Sequence, residues 1–327
     1  MRIVMMGTGT FAEPTFRALL DAGENVVGLV TQPDRDAGRK RGSTRQTGVG
    51  MAALAAAHGV PVIQPESINT PDGVAALRAF APDLLVVAAY GQILKPDVIA
   101  APTMGAINVH ASLLPKYRGA SPIAHAILDG ETVTGVTIIR ITLGLDAGDM
   151  LARVEVPIPP RTTTGALEAT LGPLGATLCL AVVAQLKSGT AVGTKQDQSL
   201  VTRAPKFTKE MGAIDWARPA GRVVGHVYAV QPWPTAYTFL HRPGKPPLRL
   251  SVTEVTAGDT PTSPHDNGLS PGSAVAVGGS LVVACGGGSV ELLEVQPAGG
   301  KRMASGDFLR GTPLPDGSRF GPEGTTP

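Results

Sequence analysis

Cysteine is nearly absent: Cys179 and Cys285 are the only two in 327 residues. That excludes a disulfide framework and a zinc site built from several cysteines. Both have apolar neighbours and read as small buried hydrophobes. Aromatic residues make up only 4% and charged residues 17%, so the core must be mostly Val, Leu, Ile and Ala. A hydrophobic content of 43% excludes a disordered chain. No uninterrupted apolar run reaches the roughly 18 residues that a membrane span needs. The opening MRIVMMGTG runs straight into a strand and a glycine turn, without the apolar core and cleavage site of a signal peptide. A soluble, cytoplasmic protein is expected. Charge of one sign is also lacking, because a net +2 is too mild to demand a nucleic-acid partner.

What is plentiful is Gly (41) and Pro (29), the residues of turns. At about 150 residues per domain the length allows two domains. The first half alternates strand and helix signals. Strands are expected at residues 2–6, 25–31, 60–63, 84–88 and 107–109, with helices at 11–22, 47–58 and 75–80. The run 84–88 is apolar throughout, the pattern of a strand buried on both faces. This rhythm predicts an α/β domain with a mostly parallel sheet covered on both faces. From residue 133 two β-rich stretches follow, and 163–186 reads as one long helix despite Gly172-Pro173. Residues 188–207 read as a linker. Beyond 208, short strands punctuated by Gly and Pro predict a small β-barrel or sandwich over 208–311. Residues 312–327 have little to bury and are expected to be disordered.

Gly7-Thr8-Gly9 follows a strand and opens a helix, but a dinucleotide site fits it poorly. The third glycine is replaced by Ala12, and the second strand ends in Thr31-Gln32-Pro33 without an acidic residue for a ribose. Asn108 and His110 lie two apart at the end of an apolar run, so they share one side of a strand. They read either as a satisfied polar pair capping the strand or as groups that polarise a carbonyl and move a proton. Asp146 lies 36 residues after His110 in Gly144-Leu145-Asp146-Ala147-Gly148-Asp149. This is either an ordinary hairpin turn or a carboxylate aimed at an imidazole. Between them, Ser112-Leu113-Leu114-Pro115 is a loop whose two leucines no secondary-structure period explains.

The stretch from Asn108 to Pro122, with GVTI before GLDAGD, resembles the 10-formyltetrahydrofolate-dependent formyltransferases. The segments at 31–39, 87–94, 200–206, 214–216, 232–234 and 293–301 resemble the branch that acts on methionyl initiator tRNA. The similarity spans roughly residues 1–310, with Gln231 standing where that branch has Asn.

It implies a Rossmann-like formyltransferase domain over 1–187 and an OB-like, tRNA-binding barrel. It implies Asn108, His110 and Asp146 as the catalytic set, the division of labour between His110 and Asp146 being open. The formyl donor would lie against Tyr90, Gly91, Gln92, Ile93 and Leu94 and be approached past Ser112, Leu113, Leu114 and Pro115. Arg39, Lys40, Arg41 and Arg45 fall in an eleven-residue segment, 35–45, of net charge +4. With Lys206 they would contact tRNA phosphates. No metal, no membrane and a monomer are expected. A small acceptor such as an amino-sugar nucleotide is the competing reading.

Overall fold

The computed structural model describes residues 1–33, 50–258 and 269–324. The chain divides into two compact units. The first comprises Met1–Ile123, Thr132–Ile158 and Gly165–Lys206. Its strands are β1 (Ile3–Gly7), β2 (Val26–Val30), β3 (Val62–Ile63), β4 (Leu84–Ala88), β5 (Ala106–His110), β6 (Val133–Arg140) and β7 (Met150–Pro157). They form one sheet in the order β3-β2-β1-β4-β5-β6-β7. The first five strands are parallel, and β6 and β7 add antiparallel to the edge beyond β5. Every residue of β1 and β4 is buried, as an apolar strand at the centre of a parallel sheet requires. The strand order reverses between β1 and β4, the switch point beside which sheets of this kind bind ligands at their carboxyl ends.

Helices α1 (Glu13–Asp21), α2 (Met51–Ala57), α3 (Pro71–Ala79), α4 (Pro96–Ile99) and α5 (Pro122–Leu128) lie between strands. Helix α3 begins earlier than its apolar spacing predicts. Thr70 caps it by accepting the Gly73 N–H at 3.1 Å, and Pro71 occupies the first turn. Helix α6 (Thr164–Ser188) runs unbroken through Gly172-Pro173. A Cβ on Gly175 would come within 2.8 Å of Val109 and 3.3 Å of Val136, so glycine lets α6 rest directly on β5 and β6. That packing occupies the Val109 face of β5, and the pleat sends Asn108 and His110 to the opposite face. By length and composition α6 could cross a membrane. In this fold Leu167, Leu171, Cys179, Val182 and Val183 on it are buried.

The second unit holds Ala124–Glu131, Pro159–Thr164 and Phe207–Pro327. Strands β8 (Ala236–Arg242), β9 (Lys245–Gly258), β10 (Ala274–Val277), β11 (Ser280–Ala284), β12 (Ser289–Pro297), β13 (Met303–Ala304) and β14 (Arg319–Gly321) form an antiparallel sheet, ordered β10-β11-β12-β9-β8-β14 with β13 beside β12. Helix α7 (Ala220–Ala229) packs on β9, where Tyr228 Oη donates to Val255 O at 2.8 Å. Helix α8 (Ser305–Gly311) follows β13.

Residues 312–324 depart from the disorder expected of the tail. Strand β14 pairs with β8 on one side. On its other side the Phe320 N–H donates to Gly272 O at 2.7 Å, and the Ala274 N–H donates to Ser318 O at 3.0 Å. Those bonds join the two ends of the sheet and close it into an OB-like barrel. Phe320 is buried against Trp216, with ring centroids 5.8 Å apart. One buried aromatic in a stretch of Gly and Pro is too short a signal for any periodicity to reveal. Gln231, the departure from the related pattern, ties α7 to β9 by donating to both Val227 O and Thr253 O at 2.9 Å.

Candidate active site

Asn108, His110 and Asp146 come together in the first unit. The first two stand on β5, and Asp146 is carried by the turn between β6 and β7. Asn108 Nδ2 donates to Asp146 Oδ1 at 3.5 Å. His110 Nδ1 lies 3.8 Å from Asp146 Oδ2, and its other nitrogen, Nε2, donates to the Tyr117 carbonyl at 3.0 Å. The carbonyl can only accept, so Nε2 carries a proton and Nδ1 of the neutral ring keeps its lone pair. The gap from Nδ1 to the carboxylate exceeds a hydrogen bond, and a proton taken up at Nδ1 would face Asp146. Oδ2 of Asp146 also accepts the Gly119 N–H at 2.9 Å.

The Asp146 turn is held in an unusual conformation. Asp146 itself is left-handed, with φ +48°, a region that Asp tolerates better than most residues. Gly148 passes so close to β6 that a Cβ there would lie 1.7 Å from Arg140 O. The glycine therefore has a steric cause, and a hairpin reading explains the turn but not its close packing.

Ser112–Pro115 is fixed from below by Thr137 on β6. The Thr137 hydroxyl donates to Ser112 O at 2.7 Å and accepts the Leu114 N–H at 3.2 Å. Ser112 Oγ donates to Lys116 O at 2.7 Å. Leu114 is buried, Leu113 and Pro115 are partly exposed, and the Leu114–Pro115 peptide is cis. After β4, the Tyr90 ring turns into the core beside Val4, Met6 and Val87. Burial pushes its phenol up to about 12, and its hydroxyl has no hydrogen-bond partner among the described residues. What this loop leaves at its surface is therefore its backbone and the side chains beyond Tyr90. Gly91 is left-handed at φ +84°, Leu94 packs partly on the core and Ile93 is 77% exposed. The Gln92 amide anchors the loop by accepting the Ile68 N–H and donating to Glu66 O, both at 3.0 Å.

The glycine turn after β1 has a packing role. A Cβ on Gly7 would meet Ala12 at 2.7 Å and Ala88 O at 2.9 Å. Thr8 Oγ1 accepts the Gln32 N–H at 3.2 Å, which joins this turn to the end of β2.

Sequence reasoning missed the contribution of residues 196–204, which look like a linker. They line the loop that carries Tyr117–Gly119. Thr202 Oγ1 accepts the Tyr117 N–H at 2.8 Å, Thr202 O accepts the Arg118 N–H at 3.0 Å, and the Ala204 N–H donates to Arg118 O at 2.8 Å. A Cβ on Gly119 would strike Ala204 O at 2.5 Å. Arg118 and Gln196 are buried polar residues; Arg118 falls in the stretch that carries the family resemblance, but only burial, invisible in sequence, marks Gln196. Lys206 is exposed at the end of this segment. Arg39, Lys40, Arg41 and Arg45 lie outside the described residues.

The chain matches the formyl transferase family over residues 1–183 and the formyl transferase C-terminal domain over residues 206–313. It is 42% identical over 323 residues to the methionyl-tRNA formyltransferase of Geotalea uraniireducens, covering 98% of both chains. It is 43% identical to that of Acidobacterium capsulatum, over 98% of this chain and 100% of the relative. The chain belongs to the methionyl-tRNA formyltransferase family. Among solved structures, an N-formyltransferase from Helicobacter canadensis in complex with folinic acid and dTDP-3-aminofucose is similar at TM-score 0.63. It shares 14% identity over 89% of this chain and 98% of its own, a likeness of fold alone. The family accounts for both units: a formyltransferase domain on the parallel sheet, followed by a C-terminal barrel. As a member of it, the chain is a formyltransferase whose formyl donor is 10-formyltetrahydrofolate.

Proposed function

We propose that the chain transfers the formyl group of 10-formyltetrahydrofolate to the α-amino group of methionyl initiator tRNA in the cytoplasm, with Asn108, His110 and Asp146 as the catalytic set. The observation that carries this reading is the convergence of one amide, one imidazole and one carboxylate in a chain so similar to methionyl-tRNA formyltransferases over its full length.

The chemistry follows from these groups. The neutral amine attacks the formyl carbon, a new C–N bond forms and the carbonyl oxygen gains negative charge. The Asn108 amide is a donor suited to that oxyanion. His110 Nδ1, with Nε2 already committed to Tyr117 O, is the free lone pair that accepts the amine proton. Asp146 faces the imidazolium so formed and stabilises it. The bond to the folate N10 then breaks, and that nitrogen leaves with a proton returned from His110. The loops 90–94 and 112–115, fixed by Gln92 and Thr137, bind the donor. Arg39, Lys40, Arg41, Arg45 and Lys206 contact tRNA phosphates.

The test is formyl transfer from 10-formyltetrahydrofolate to methionyl initiator tRNA, with an amino-sugar nucleotide as competing acceptor. Formylation of the tRNA alone is expected. Transfer to the amino sugar with none to the tRNA would overturn the reading.

A further inference from the structure

Arg118 is a buried guanidinium without a carboxylate within ion-pair distance among the described residues. Burying such a charge requires a reason. Its Nε and Nη2 both donate to Gln196 Oε1, at 3.0 and 2.7 Å. The amide nitrogen of Gln196 in turn donates to Asp146 O and to Gly148 O, each at 2.8 Å. Every hydrogen-bonding position of the Gln196 amide is thus used. One half of it grips Arg118 and the other half grips the backbone of the Asp146 turn.

The residue after Arg118 holds the same aspartate from its other end, since the Gly119 N–H donates to Asp146 Oδ2. Asp146 is therefore fixed at its main chain through Gln196 and at its carboxylate through Gly119. A left-handed aspartate needs such over-determination to persist. Asp146 also acts on Arg118 in return, raising its proton affinity against the lowering caused by burial and by Arg203.

We infer that Arg118 and Gln196 are positioning residues for Asp146: the amide of Gln196, oriented by Arg118, locks the Asp146 main chain so that its carboxylate faces His110 and Asn108. The consequence for catalysis rests on the proposed function, but the positioning does not.

Gln196→Glu is the discriminating variant. Its carboxylate still accepts both Arg118 donors but cannot donate to the Asp146 and Gly148 carbonyls. The first readout is amide hydrogen exchange, which needs no substrate. The Gly119 amide should exchange about 10-fold or more faster in Gln196→Glu, because its acceptor has moved. The Ser121 amide, which donates to Ala204 O, should be unchanged and serves as the internal control. Unaltered Gly119 exchange in a folded Gln196→Glu protein would overturn the positioning role, whatever the enzyme's substrate proves to be.

The second readout is formyl transfer. Misplacing a catalytic group by about 1 Å lowers turnover on the order of 100-fold. Gln196→Glu should lower kcat by about 10- to 100-fold with the KM for the donor nearly unchanged, whereas Ser199→Ala, three residues on and exposed, should be unaffected. In an Asp146→Asn background Gln196→Glu should add little, because the two act through one group. A fully multiplicative loss would assign Gln196 a merely structural role. Arg118→Lys, which keeps the charge but not the two-pronged grip, should reproduce the kcat loss in milder form. Wild-type kcat in both variants would sink the catalytic consequence.

Discussion

His110 Nδ1 stands 3.8 Å from Asp146 Oδ2, while Nε2 of the same ring is held by the Tyr117 carbonyl at 3.0 Å. One nitrogen is committed to the main chain and the other is left open beside a carboxylate. That asymmetry defines the imidazole's tautomer and leaves a single place for a transferred proton.

Removing any of the three polar groups should therefore stop chemistry without unfolding the protein. Asn108→Ala, His110→Ala and Asp146→Asn are each expected to lower kcat by about 100-fold or more. Double variants should lose far less than the product of the singles, because the groups act as a unit. Steady-state kinetics with circular dichroism as the folding control checks this. Near-normal turnover by a folded Asp146→Asn protein would remove Asp146 from the set.

Thr137 is a different kind of residue, since it supports a loop. Thr137→Val leaves the Leu114 N–H and Ser112 O without their side-chain partner in a buried place. A destabilisation of about 1–3 kcal/mol is expected. The KM for the formyl donor should rise more than kcat falls. Urea denaturation and kinetics measured together on this variant decide the point. A variant as stable as the wild type with an unchanged KM would show that the loop does not depend on Thr137.

His226 gives the second unit a pH dependence. Burial lowers its proton affinity more than its hydrogen bond to Met211 O raises it. Its folded-state pKa thus lies below its unfolded value of about 6.5. The unfolded chain binds more protons as pH falls through that value, so stability is full above about 6.5 and declines from there down to the folded pKa. Denaturant midpoints at pH 7.5 and 5.5 should differ more for the wild type than for His226→Gln. Equal differences in the two proteins would clear His226 of this role.

The basic segment 35–45 makes a prediction from charge alone. Arg39→Ala, Lys40→Ala and Arg41→Ala together should weaken tRNA binding and flatten its salt dependence, because fewer counterions are released. Affinity for the formyl donor should stay the same. Titrations of tRNA at several salt concentrations, with donor binding as control, test it. Identical salt slopes for wild type and variant would take this segment out of the tRNA site.

Much of this protein is written locally in its chain. Strands β1, β2 and β4 are apolar runs of the expected length, and α6 follows from its continuous apolar content, so the parallel sheet was legible. Asn108 and His110 share a face because a strand has a period of two, and that too needs no tertiary information. Helix α7, by contrast, carries two glycines and is stabilised by burying Val223, Val227 and Tyr228, which only its neighbours make possible. Strand β14 is a strand because Phe320 finds Trp216 and the open edge of a sheet. The same holds for Gln196 and Arg118, whose side chains read as solvated polar groups until the fold buries them on the Asp146 turn. Periodicity reports the face a residue presents to its own element. It carries no record of hydrogen bonds between segments 50 or 78 residues apart, which exist only once the chain has closed on itself.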